Sequence, residues 1–324
     1  MQSYSLHADG AQTVLALIEV PTPAPGPGQV LLRMHAAGLN RGEFIPGGLV
    51  KVGSSKPAGI EGSGEVVLVG AGVTSIKIGD RLMGRCPGAF SEYAVMDLRE
   101  AIPVPPGLSM EAAAAVPLTF LVVHDMLVAQ GRLRSGEWLL VTGVSSGVGV
   151  SAMQAAHALG AKVIGTSGSA QKLEKLKALG LDVALQTRAP DFAAAVLQAT
   201  NGRGVDLVVN TVGGSVFAEC VRCMAFEGRL ATVGYVDNTL KAELDIQALH
   251  AKRLTLFGVS NKLRSAEQRS AGVPAFVADL MPAIADARIR PLVDRVFPFA
   301  QLPAARAHME ANAHVGKIVL KITS

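Results

Sequence analysis

Residues 137–167 read EWLLVTGVSSGVGVSAMQAAHALGAKVIGTS, and few folds accept such a segment. EWLLVTG (137–143) is almost wholly apolar, as a strand covered on both faces is. A turn of small residues follows, then a helical run from about Gly147 and a second apolar strand, AKVIGTS (161–167). Strand, helix and strand in about 30 residues make one right-handed βαβ unit, which commits the surroundings to a parallel sheet. The alternation continues through a helix in AQKLEKLKALG, a short strand at 182–186 and a helix in DFAAAVLQAT. VDLVVNTVG (205–213), a helix over 215–226, GRLATVG (228–234) and RLTLFGV (253–259) extend it. Residues 119–286 therefore read as an α/β domain with a doubly wound parallel sheet.

The texture before residue 119 is different. VLALIEV (14–20), QVLLRMHAAGL (29–39), GEVVLVG (64–70), GDRLMG (79–84) and FSEYAVM (90–96) are strand candidates separated by glycine and proline turns. No helical pattern precedes SMEAAAAV, where Ser109 is placed to cap and Glu111 falls in the first turn. GKIVLKI (316–322) is again a strand, so 1–118 and 287–324 are expected to form one mostly β domain. At 324 residues, two domains are the default.

Composition narrows the function. The net charge of +4 is spread without a long basic run, so no nucleic-acid footprint exists. AAAAVPLTFLVV (112–123) is broken by Pro117 and Thr119 and is too short to span a bilayer. MQSYSLHADG lacks the basic start and apolar run of a signal peptide, and the chain has only 3 cysteines, so a reducing, cytoplasmic setting is expected. Cys220 and Cys223 form a CxxC with helical surroundings, which is expected to be a pair of buried thiols rather than a metal or redox site.

The turn after EWLLVTG carries the chemistry. It places backbone N–H groups and the positive end of a helix where a pyrophosphate can bind, at Ser145, Ser146, Gly147, Val148 and Gly149. Val144 and Ser146 replace the first two glycines of the strict G-x-G-x-x-G pattern, but strand, helix and second strand surround the turn correctly. An NAD site places an acid at the end of the second strand; here GTSGSAQK has none before Glu174. Thr166, Ser167, Gly168, Lys172 and, after the next strand, Arg188 offer hydroxyls, space and cations to a 2′-phosphate, so NADPH is expected. The backbone at Val212–Gly213, Gly234–Tyr235 and Phe257, Gly258 and Val259 is expected around the nicotinamide, at the strand ends of the same sheet.

From HAAGLN (35–40) through GIEGSGEV, VGAGVTSIKIGDRLMG, AAAAVP, SSGVG and GTSGSAQK to HVGKIVL (314–320), the chain resembles the zinc-lacking quinone oxidoreductases of the medium-chain dehydrogenase/reductase superfamily. HAAGLNRGEF and GDRLMGRCPGAFSEYAV are similar to the enoyl-reductase modules of polyketide synthases. The resemblance implies a GroES-like domain from both chain ends, a Rossmann domain between them, and homodimers joined along the Rossmann sheet edge. In the zinc alcohol dehydrogenases of that superfamily a cysteine stands at the position of Asn40 and a histidine at that of Ile60. A further cysteine ligand lies on the segment matching 112–123, and the cysteine-rich lobe is missing after Cys86. No metal is therefore expected, and Glu61 is expected to bond within its own glycine turn.

Without a metal, reduction of an isolated ketone lacks its main oxyanion stabiliser, whereas a quinone, enone or alkenal spreads the charge itself. The expected activity is NADPH-dependent hydride transfer to such conjugated acceptors. Asn40, with its amide donor, and Thr119 are the candidate catalytic residues, and Asn261 a weaker one for lining the cleft. Asn40 has an alternative reading, in which it satisfies strand-end backbone groups. Polyketide enoyl reductases often carry a tyrosine shortly after this point; FIPGGLVKVGSS (44–55) has none, although Lys172 and Asp191 stand near positions also discussed for proton delivery. The proton donor stays open, and so do two other functions: a trans-acting enoyl-thioester reductase and a non-enzymatic NADPH-binding sensor.

Overall fold

The computed structural model describes residues 1–9, 12–45, 51 and 53–323. Residues 46–50 and 52, within the tyrosine-free stretch, lie outside the described residues. The chain divides into two compact units: Met1–Thr119 with Val273–Asp279 and Pro291–Ser324, and Phe120–Gly272 with Leu280–Arg290.

The first unit begins with β1 (Gln2–Asp9) and β2 (Gln12–Glu19), antiparallel with Tyr4 opposite Leu17 and His7 opposite Val14. β1 is a strand that the sequence reading did not include. Its signal is alternation, with Tyr4, Leu6 and Ala8 buried and His7 exposed between them, diluted by the polar residues. β3 (Gln29–Gly38), β4 (Ser55–Pro57), β5 (Glu61–Val69), β6 (Arg81–Arg85), β7 (Tyr93–Asp97) and β8 (Ile102–Pro103) follow. α1 (Met110–Ala114) starts where expected, with Ser109 Oγ accepting from Ala112 N at 3.1 Å. The run 112–123 breaks at Pro117, the first residue of α2 (Pro117–His124). Among the described residues no helix is long and apolar enough to cross a membrane.

The second unit is the series of βαβ crossovers read from the sequence. It runs β9 (Trp138–Thr142), α3 (Gly147–Ala158), β10 (Lys162–Ser167), α4 (Ala170–Ala178), β11 (Val183–Gln186) and α5 (Ala193–Ala199). β12 (Val205–Asn210), α6 (Phe217–Arg222), β13 (Met224–Thr232) and β14 (Thr255–Gly258) complete the sheet. Its order is β11-β10-β9-β12-β13-β14, all parallel, so strand order reverses at β9 and β12. The helix expected over 215–226 is shorter: α6 ends at Arg222, and apolar Met224 and Ala225 already belong to β13. Cys220 and Cys223 are buried, and burial pushes both thiols up, as suits packing rather than reactivity. Leu140, Ile164, Val208 and Leu230 form the core under the sheet with Val196 and Val221.

The chain then returns to the first unit with β15 (Val293–Pro298) and β16 (Lys317–Lys321). β16 pairs with β3, which makes the order β15-β16-β3-β5-β6-β8, with β7 also on β3; β2-β1-β4 form a separate small sheet. Leu6, Leu32, Met34, Phe90, Met96 and Leu320 fill the core. The fold is a GroES-like β unit with a Rossmann-type parallel-sheet unit, as the sequence led one to expect.

Candidate functional site

In the second unit the expected cofactor residues stand at the carboxyl ends of parallel strands. Register puts Asn210 opposite both Thr142 and Thr232, and Thr232 opposite Gly258, so these ends are level. Gly143 turns the chain out of β9 with φ of +68°, a conformation that glycine adopts without strain. Ser146 caps α3, its Oγ accepting from Gly149 N at 3.1 Å. Ser145, Ser146, Gly147 and Val148 are half-buried, and the first-turn N–H groups at 147 and 148 have no partner within the helix. Gly149 is required: a Cβ there would lie 2.6 Å from the Val144 carbonyl oxygen. That cradle fits a pyrophosphate at the start of a twelve-residue helix.

At the end of β10 the expected residues separate into two roles. Thr166 is buried and its Oγ1 accepts from Gly143 N at 3.3 Å, so this hydroxyl braces the glycine turn rather than meeting a phosphate. Ser167 Oγ accepts from Ser169 N at 3.3 Å, which leaves its own hydrogen to donate. Thr187 N donates to Ser167 O at 3.1 Å and so carries Arg188 to the end of β10. There the arginine lies against Gly168, where an added Cβ would be 2.0 Å from Arg188 Nε. Lys172 is half-buried in the first turn of α4, which Ser169 caps through Lys172 N. Asp191 accepts from Thr187 Oγ1 at 2.6 Å.

The next strand end is held by a residue that the sequence reading missed. Asn210 is fully buried; its Oδ1 accepts from Val212 N and Gly213 N at 3.0 and 3.1 Å, and its Nδ2 donates to Gly213 O at 2.9 Å. The Asn-Thr-Val-Gly run at a strand end was its only sequence signal. Gly213 has φ of +130°, and Asp237 occupies the space a side chain would need. Gly234 is half-buried and Tyr235 exposed, while Val259 N donates to Thr232 O at 3.0 Å, leaving Phe257 and Gly258 on the edge strand. Asn261 accepts from Arg264 at 3.5 Å.

In the first unit the expectation about Glu61 is corrected. Its carboxylate is fully buried, but its partners come from three other segments rather than its own turn. Oε1 accepts from Asn40 Nδ2 at 2.8 Å and from Lys317 Nζ at 2.7 Å, and Oε2 accepts from Leu118 N at 2.7 Å. Lys317 gives its remaining hydrogens to Leu39 O at 3.0 Å and Asn40 Oδ1 at 2.8 Å. Asn40 Nδ2 also donates to Glu43 Oε1 at 3.0 Å. Both amide hydrogens of Asn40 are thus engaged with carboxyl groups, and neither is left to meet a substrate oxygen. Its side chain bonds other side chains rather than strand-end backbone groups, and so joins the end of β3 to β5 and β16. Gly38 makes room, since a Cβ would lie 2.8 Å from Glu61 Oε1. Thr119 is buried in α2. Among the described residues no group of three or more His, Cys, Asp or Glu is arranged to hold a metal ion.

Comparison with known proteins gives one consistent answer. Residues 26–106 match the alcohol dehydrogenase GroES-like domain and residues 147–271 the zinc-binding dehydrogenase family. A spectinabilin polyketide synthase system protein of Streptomyces orinoci is 33% identical over 320 residues, 96% of this chain but 14% of that protein. The chain spans only 12–14% of such curated synthases. A mycobacterial protein solved with NADPH is 29% identical with a TM-score of 0.88, covering 99% of this chain and 100% of that one. An NAD-dependent alcohol dehydrogenase, 30% identical with a TM-score of 0.87, matches over 100% of both chains. With a GroES-like unit, a parallel sheet whose order reverses at a glycine turn, and full-length relatives of the same build, the chain belongs to the medium-chain dehydrogenase/reductase superfamily.

Proposed function

We propose that the chain is an NADPH-dependent, zinc-independent reductase of conjugated acceptors: quinones, enones or alkenals. The observation that carries the reading is the saturation of Asn40, which stands where the superfamily's zinc enzymes carry a cysteine ligand, by Glu43, Glu61 and Lys317. For the cofactor, relatives include both an NADPH complex and an NAD-dependent enzyme, so the local residues must decide. Arg188 against Gly168, with no acid at the end of β10, favours NADPH.

NADPH supplies a hydride when bound. The turn at 145–149 holds its pyrophosphate through backbone N–H groups, and Ser167 and Arg188 hold the 2′-phosphate. Val212 and Gly213, fixed by Asn210, present backbone to the nicotinamide with Gly234, Tyr235 and Phe257–Val259. A conjugated acceptor delocalises the charge left by hydride addition, so a few backbone or hydroxyl donors suffice. The expected result is NADPH oxidation by 1,4-benzoquinone or a 2-alkenal in chelator-washed protein, with no oxidation of ethanol or isopropanol. Stoichiometric zinc in elemental analysis, or efficient alcohol oxidation, would overturn it.

A second reading is favoured by the likeness of 96% of this chain to a part of a polyketide synthase protein: reduction of an enoyl thioester on a carrier. Faster turnover of a crotonyl thioester than of any quinone or alkenal would select it, and no turnover with the whole panel would leave the NADPH-binding sensor. For a partner, a second copy of the chain is the reading supported by β14 at the sheet edge and by exposed Val236, Leu240 and Ile246 in the same unit. Light scattering is expected to give twice the mass of 33.5 kDa.

A further inference from the structure

Glu43, on the turn that follows β3, is only 2% exposed. Its Oε1 accepts twice from Asn40, from the backbone N and from Nδ2, both at 3.0 Å. Among the described residues its buried Oε2 has no hydrogen-bond partner. An ionised carboxylate in this position would leave charge on a bare, desolvated oxygen. A neutral acid keeps its carbonyl oxygen on the two Asn40 donors and its proton on the bare one.

Of the surrounding charges Glu61 pushes the same way and Lys317 pulls back. Glu61 on β5 and Lys317 on β16 face Glu43 across Asn40, and buried Cys86, beside Arg85, lies near both glutamates. Lys317 spends all three hydrogens on Leu39, Asn40 and Glu61. Arg41, on the same turn as Glu43, turns to Met309 O and Asn312 Oδ1. Arg306 lies over the Phe44 ring and bonds Thr13 O and Glu310. Among the described residues the bonds of Lys317, Arg41 and Arg306 go to these other groups and not to Glu43. Burial first, then the Asn40 bond pulling down and the Glu61 charge pushing up, leave the Glu43 carboxyl at about 8.

We propose that Glu43 is carried as the neutral carboxylic acid, the proton-holding member of a Glu43–Asn40–Glu61–Lys317 network that then contains one anion and one cation. It is a positioning residue, acting through Asn40 on the junction of β3, β5 and β16. The proposal goes beyond the reduction proposed above, and its test needs no turnover. A folded pKa above the unfolded value of about 4.3 means that the folded chain binds this proton more tightly. The stability it contributes is complete below about 4.3 and is lost as pH rises through about 8.

Glu43→Gln keeps the shape and the acceptor for Asn40 but has no proton to lose. Its Tm minus that of the wild type is expected to widen as pH rises from about 5 to about 8, and to level off above. In wild-type protein the infrared carbonyl band of a neutral carboxylic acid should persist at about pH 6, where a free glutamate is ionised. It should titrate near 8 and be missing in E43Q. A Tm difference that stays constant over that range, or a wild type without the band at about pH 6, overturns the proposal. If E43Q does not fold, the wild-type band and its midpoint decide alone.

Discussion

Lys317→Met is expected to destabilise the protein by about 3–5 kcal/mol, read from the urea midpoint at neutral pH. The lysine side chain is 7% exposed and the Glu61 side chain 0%, so water cannot take over the role of the ammonium. Removing it strands the Glu61 carboxylate and deprives Leu39 O and Asn40 Oδ1 of their shared donor. The cost should come mostly from the charge left behind rather than from the ion pair itself. Glu61→Gln combined with Lys317→Met should therefore recover much of the loss, because the double variant buries no net charge. Lys317→Arg keeps the charge, yet a planar fork cannot point at three oxygens arranged around one ammonium, so it should be intermediate. A loss of under about 1 kcal/mol for Lys317→Met would place this pair with ordinary surface bridges and undo the account of the network.

The visibility of these features in the sequence follows from the range of the interactions that make them. β9, β10 and β12 are largely buried, so each carries a short apolar run (LLV, VI and LVV) that local reading detects. β15 and β1 are half-exposed, and polar residues such as Asp294 and Arg295 or Ser5 and His7 interrupt the pattern. The glycine turn was legible because the steric requirement is local: Gly149 must clear Val144, five positions before it. By contrast Thr166 looked like a phosphate ligand until β10 and β9 were in register, which gives its hydroxyl to Gly143 N.

The polar network lay beyond any local pattern. Glu61 meets Asn40 across 21 residues and Lys317 across 256, and only the pairing of β16 with β3 brings the last one in. GKIVLKI announces a strand, but not which of its lysines turns inward; Lys317 is buried and Lys321 exposed. Asn40 was expected to offer its amide to a substrate, and the structure gives both amide hydrogens to carboxyl groups instead. Its amide looked available because the carboxyl groups of Glu43 and Glu61 had not been placed beside it.

Arg188→Ala is expected to weaken NADPH binding roughly 10- to 150-fold, the equivalent of one charge-assisted hydrogen bond of about 1.5–3 kcal/mol. NADH, which lacks the 2′-phosphate, should bind the variant as it binds the wild type. The argument is geometric before it is electrostatic. The Thr187–Ser167 backbone bond fixes the arginine at the end of β10, and Gly168 is bare because the guanidinium stem fills the space of its side chain. An acid at this strand end would accept from ribose hydroxyls and repel a phosphate, so Ser167→Asp should move preference the same way by the opposite charge. Titration of each cofactor by nicotinamide fluorescence separates the outcomes. Equal weakening of NADPH and NADH by Arg188→Ala would make the arginine a structural cover over Gly168. An unchanged NADPH affinity would move the 2′-phosphate contact to other groups of this strand end, with Ser167 and Lys172 the next to replace.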